Sequence, residues 1–206
     1  MRETMTKLPY RRILCFGDSN TYGFDPRDPL GGRYPPSERW PEILAESTGA
    51  EVVNLGLNGR AVPHNRRGVE AALSLLRREL PADLLILMLG SNDVFQMDEP
   101  AAEKISARMD IFLRELKAAF PGLRIFLISP PRVEIPLAHV QEIFWDLIPL
   151  YRRLAAKHGT LFAAAPSWEL PLSADEVHFS PEAHRNFAAR VERHLQEGLL
   201  QSETMP

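Results

Sequence analysis

The apolar residues of this chain gather in five short runs, Arg12 to Phe16, Val52 to Leu55, Leu84 to Leu89, Arg124 to Ser129 and Thr160 to Ala164. Longer amphipathic stretches separate them. Short, continuously apolar runs are what strands buried on both faces require, and amphipathic segments between them supply the helices that cover a parallel sheet. Helices are predicted over Pro41 to Thr48, Arg66 to Leu80, Pro100 to Phe120, Ala138 to His158 and Pro181 to Gly198. The first four close at Gly49, Pro81, Pro121-Gly122 and Gly159, residues that end helices. Pro149 should bend or break the fourth. The pattern predicts an α/β fold, a three-layer α/β/α sandwich with a five-stranded parallel sheet and a flavodoxin-like strand order. No internal repeat, low-complexity tract or linker interrupts the sequence, so residues 1–206 read as a single domain. Its ordered core is expected from about 10 to 198, with frayed tails before Pro9 and after Gly198.

Composition narrows the functions open to such a fold. A formal net charge of -3 gives no basic footprint for nucleic acid. No apolar run approaches membrane-spanning length, and Met1 to Arg12 interleaves charges where a signal peptide would need an apolar core. The single cysteine, Cys15, sits in the first apolar run and reads as a core residue. These features predict a cytoplasmic protein without nucleic-acid or membrane partners, and they leave room for a homo-oligomer. His64, His139, His158, His184 and His194 follow no metal-ligand spacing and read as surface or helix-end residues.

In an open parallel sheet, ligands bind beyond the carboxyl ends of the strands, so the loops there carry function. They read Gly17-Asp18-Ser19-Asn20-Thr21-Tyr22-Gly23, Gly56-Leu57-Asn58-Gly59-Arg60, Gly90-Ser91-Asn92-Asp93 and Asp175-Glu176-Val177-His178. A serine hydroxyl is a weak nucleophile unless a base takes its proton and a third group orients that base. His178 and Asp175, three residues apart, can supply both functions for Ser19. Developing negative charge on an ester oxygen would find donors in the backbone N–H groups of Ser19 and Gly59 and in the side-chain amide of Asn92. Asp93 reads as a loop-holding carboxylate that accepts from backbone N–H groups.

These blocks also resemble those of the SGNH (GDSL-type) hydrolases. Gly17-Asp18-Ser19-Asn20 is similar to the first block, with Asn20 where leucine is commoner. Gly59 falls at the second block's oxyanion glycine, Gly90-Ser91-Asn92-Asp93 matches G-x-N-D, and Asp175 to His178 matches D-x-x-H. The flanking text, Arg12 to Phe16 and Ile86 to Leu89, resembles the arylesterase and perhydrolase-type acyltransferase branch. The resemblance implies a serine esterase that acts on small-molecule esters, with neither metal nor organic cofactor. Asn20 is not a residue that such a mechanism requires.

Short-chain or aryl esters are the leading expected substrates, with carbohydrate O-acetyl esters, or transfer of the acyl group to another acceptor, as the alternative. Asp18, Val94, Phe95 and Trp145 are expected to contact substrate, with the Pro130 to Trp145 segment closing a shallow acyl pocket. Arg60, Arg66 and Arg67 read as a solvated basic face, with Arg60 near enough to Gly59 to meet an acidic substrate. Two rival functions fit less well. A flavodoxin-like nucleotide or flavin module would carry G-x-x-x-x-G-K-[ST] or G-x-G-x-x-G, and an α/β-hydrolase elbow needs a glycine where Thr21 stands.

Overall fold

The computed structural model describes residues 8–28 and 30–203, with side chains through residue 198. Among these residues five parallel strands form one sheet: β1 (Arg12–Gly17), β2 (Glu51–Asn54), β3 (Leu84–Met88), β4 (Arg124–Ser129) and β5 (Leu161–Ala164). Their spatial order is β2-β1-β3-β4-β5, the flavodoxin-like order. Alternation along each strand sends side chains to opposite faces, and both faces are apolar. Ile13 and Cys15 of β1 join Ile86, Met88, Phe126 and Ile128 in one core layer. Leu14 and Phe16 join Leu85, Leu87, Ile125 and Leu127 in the other. Each fully buried leucine or isoleucine here is worth about 1.5–3 kcal/mol of transfer free energy.

Among the described residues seven α-helices surround the sheet: α1 (Ser19–Tyr22), α2 (Trp40–Thr48), α3 (Arg66–Arg78), α4 (Ser91–Gln96), α5 (Ala102–Ala119), α6 (Ala138–His158) and α7 (Pro181–Glu203). Short 3₁₀ turns lie at Pro36–Glu38 and Ala165–Trp168. Trp40 and Leu44 of α2 and Phe187, Val191 and Leu195 of α7 cover the first layer. Leu73 and Leu76 of α3, Phe112 and Leu116 of α5 and Phe144 and Leu147 of α6 cover the second.

Three expectations change. Helix α6 runs unbroken through Pro149, whose exposed position on the helix leaves its ring facing away from the core. At the amino end, Leu8 and Tyr10 are buried and pack on the α2/α7 layer; the rest of the tail expected to fray, residues 1–7, lies outside the described residues. At the other end, α7 continues past Gly198 to Glu203. No helix among the described residues is long and apolar enough to cross a membrane.

Candidate active site

Strands β2 and β3 flank β1 on opposite sides, so the chain leaves β1 at the point where the sheet's order reverses. A crevice opens at such a switch point, and two informative loops meet there. Gly17 closes β1 against the following turn so tightly that a Cβ on it would lie 2.1 Å from Thr21 Oγ1 and 2.9 Å from the Met88 carbonyl oxygen. Asp18 then caps α1, its Oδ1 accepting the Asn20 N–H at 3.0 Å, and Ser19 becomes the first residue of the helix. The first N–H groups of a helix have no intrahelical acceptor, which leaves the Ser19 N–H suited to bind a ligand oxygen.

The second loop arrives from the far end of the sequence. The Asp175 Oδ1 accepts the N–H groups of Val177 (3.2 Å) and His178 (3.0 Å), folding the chain around Glu176, which adopts φ 61°. Ser173 N–H donates to the His178 carbonyl at 2.7 Å, and Glu134 N–H donates to that of Glu176 at 2.8 Å. The turn brings Asp175 Oδ2 to 2.5 Å from His178 Nδ1, and His178 Nε2 to 3.0 Å from Ser19 Oγ. The Phe24 ring packs against the imidazole, with centroids 4.6 Å apart. Partial burial pushes the Asp175 carboxyl up, but the hydrogen bonds from the His178 N–H, its imidazole and the Val177 N–H outweigh it and leave the group below the usual carboxylate range.

A third loop is clamped by α4. Leu57 to Arg60 forms a β-turn closed by Arg60 N–H on the Leu57 carbonyl at 3.2 Å, with Gly59 in its third position at φ 72°. That conformation favours glycine, and a Cβ there would meet nothing within 4 Å, so the turn is open on that side. Asn92 Nδ2 donates to the Arg60 carbonyl at 3.2 Å, and Gln96 Nε2 to that of Gly59 at 2.9 Å. The fully buried Asp93 accepts the Val62 N–H at 2.8 Å and the Arg108 guanidinium at 2.8 Å. One short helix thus fixes this loop at Gly59, Arg60 and Val62.

A cavity of about 250 Å³ lies over these groups, lined by Asp18, Ser19, Asn20, Ser91, Asn92, Phe95, Val133, Asp175, Val177 and His178. Of the expected substrate contacts, Asp18 and the half-exposed Phe95 line it. Val94 does not, because its side chain is buried in the α3/α5/α6 layer. Nor does Trp145: alternation along the 131–134 segment turns Val133 into this cavity and Arg132 and Glu134 into a neighbouring one, and Trp145 lines that second space. Gly59 does not line the cavity.

Burial pushes the Asp18 carboxyl up to about 6 against the pull of the Asn20 N–H bond and of His178. Arg60 corrects the solvated-face expectation. Its guanidinium turns inward to the carbonyls of Gly17 (2.9 Å) and Leu55 and lies 4.0 Å over the Phe16 ring, while burial pulls it down to about 10. Arg66 is exposed and pairs with Glu70. His184 corrects another expectation. It is buried between Tyr34 and Phe179, accepts the Trp40 N–H through Nδ1, and is held down to about 3 by burial and by the nearby Arg39 and His178. Among the described residues no three His, Cys, Asp or Glu side chains are grouped to hold a metal ion.

Sequence reasoning missed the roles of Asn20, Arg60 and Gln96. Each is defined by a backbone partner 37 or more residues away, for which a single sequence carries no local signal.

Comparison with known proteins gives the family. Residues 15–185 match the model of the GDSL-like lipase/acylhydrolase family. The fold is similar to that of Est24, a carbohydrate acetylesterase from Sinorhizobium meliloti, at 25% identity and a TM-score of 0.78, over 91% of this chain and 99% of the other. It is also similar to the aryl esterase of M. smegmatis, at 28% identity and a TM-score of 0.74, over 91% and 99% of the two chains. No curated protein matches the sequence. With the family's motifs gathered at the switch point of its fold and the family match spanning most of the sequence, the chain belongs to the GDSL-like lipase/acylhydrolase (SGNH) family and is a carboxylic ester hydrolase.

Proposed function

We propose that this enzyme is a serine esterase in which Ser19 is the nucleophile, His178 the general base and acid, and Asp175 the carboxylate that orients the imidazole. The observation that carries the reading is the unbroken line from Asp175 Oδ2 through both imidazole nitrogens to Ser19 Oγ. Ser19 Oγ attacks the ester carbonyl carbon as its proton passes to His178 Nε2. The carbonyl π electrons move onto oxygen, where the N–H groups of Ser19 and Gly59 and the free N–H of the Asn92 amide receive the charge. Collapse expels the alcohol, which takes the proton from Nε2. Water then attacks the acyl-serine with His178 again as base, and the acid departs as Ser19 recovers its proton.

A cavity of about 250 Å³ suits acetyl and other short acyl groups, with the exposed edge of Phe95 beside an aryl or alkyl alcohol. A carbohydrate O-acetyl ester is the second reading, favoured by the likeness to Est24 and by the polar side chains of Asp18, Ser91 and Asn92 in the cavity. Ser19→Ala tests the assignment. It should abolish hydrolysis of nitrophenyl acetate and labelling by a fluorophosphonate, with the melting temperature nearly unchanged because no large cavity opens. More than a few per cent of residual activity, on the order of what uncatalysed background would not explain, would overturn it.

A further inference from the structure

We propose that Asn20 is a positioning residue, whose side-chain amide holds the backbone on both sides of His178 and so sets the imidazole against Ser19. The inference rests on the serine-esterase reading above. Asn20 is buried in α1 beside the nucleophile. Its Oδ1 accepts the Phe179 N–H at 2.8 Å, and its Nδ2 donates to the Val177 carbonyl at 3.4 Å. In extended chain the carbonyl before a residue and the N–H after it point to the same side, so one amide reaches both in the manner of a neighbouring strand.

The other side of the same residue is held as well. The His178 N–H is on Asp175 Oδ1, and its carbonyl accepts the Ser173 N–H. All four backbone polar groups that fix the direction of the His178 Cα–Cβ bond therefore have partners, and two of them are supplied by Asn20. Because Asn20 directly follows Ser19, its amide ties the chain beside the nucleophile to the chain on both sides of His178. Leucine, the residue commoner at this position in the family, could make neither bond. This chain secures its histidine loop through a polar contact, where leucine could offer only packing.

The test compares Asn20→Leu, Asn20→Ala and Asn20→Asp. Leucine has the heavy-atom count and branching of asparagine, though its methyl groups are bulkier, and it removes both bonds without opening a cavity, whereas aspartate retains the acceptor for the Phe179 N–H. Since displacement of reacting groups by about 1 Å costs on the order of 10²-fold in rate, Asn20→Leu and Asn20→Ala should lower kcat by about 10- to 100-fold with KM little changed. The rate of fluorophosphonate labelling per folded molecule should fall in parallel, and Asn20→Asp should retain more of both rates than Asn20→Leu. An Asn20→Leu enzyme with wild-type kcat would overturn the proposal. So would a loss of activity that tracks the unfolded fraction by circular dichroism while the labelling rate per folded molecule stays normal. Failure of the serine-esterase reading would show separately, as absence of label on Ser19 in the wild-type protein.

Discussion

Asn92 and Asp93 are adjacent on α4 yet face different tasks, and their replacement should separate rate from stability. Asn92 gives one amide hydrogen to the Arg60 carbonyl, and in the proposed mechanism the other meets the substrate oxygen, a contact that strengthens as charge develops there. Asn92→Ala should lower kcat by roughly 10² to 10³ with little change in KM or melting temperature. Asp93 is fully buried between Arg108 and the Val62 N–H, so Asp93→Ala leaves both unpaired and should cost about 3 kcal/mol of stability in addition to rate. Kinetics and urea unfolding of both variants check the division, and an Asn92→Ala enzyme that loses rate only by unfolding would contradict it. Asp18 makes a prediction of opposite electrostatic sign. Burial holds its carboxyl up at about 6, above the ordinary 3.8, so the native state binds that proton more tightly than the unfolded chain. The stability this confers at low pH is lost as pH rises from about 4 to about 6. Asp18→Asn keeps the N-cap acceptor, and it should raise stability at about pH 8 by about 1–3 kcal/mol while leaving it nearly unchanged at about pH 4. An equal change at both pH values would count against the buried charge as its cause. At this scale the motif residues were legible because each sits in a short, chemically unusual loop. Asn20, Arg60 and His184 were not, because what they do depends on Phe179, Gly17 and Trp40, which only folding brings near.

Elements followed the sequence where length gave their periodicity room to show. The five apolar runs became the five strands to within a residue or so at each end, and α5 and α6 fill the stretches between glycine and proline stops. Helices α1 and α4, of four and six residues, were invisible as helices because one turn shows no period, and both carry site residues. Pro149 misled for a physical reason: a proline removes one hydrogen bond and crowds the preceding turn, but packing of Val140, Phe144, Leu147, Tyr151 and Leu154 on the core outweighs that cost and carries α6 through. The position is exposed, so Pro149→Ala should restore the missing bond and stabilise the protein by about 1–3 kcal/mol without altering kcat. A fall in melting temperature would show that the ring is needed where it stands.

The whole molecule brings together groups that lie 159 residues apart in the chain, Ser19 at the end of β1 and His178 beyond β5. The parallel sheet makes this possible, since every strand delivers its following loop to the same edge, and the reversal of order around β1 opens space between them. Topology and site location were legible from the strand–helix alternation together with the motif order. The walls of the cavity were less so, because which side chains of 131–134 and α6 face it depends on how that segment alternates, and Trp145 fell on the other side. The central claim is that acyl transfer passes through Ser19, and the most direct measurement is trapping of the covalent intermediate. Wild-type enzyme should be acid-quenched during turnover of nitrophenyl acetate, digested and mapped by mass spectrometry. An acetyl group on the peptide carrying Ser19, absent from Ser19→Ala and much reduced in His178→Ala, which lacks the base for acylation, is the predicted result; acetylation confined to other residues, with Ser19 unmodified while the enzyme turns over, would contradict it.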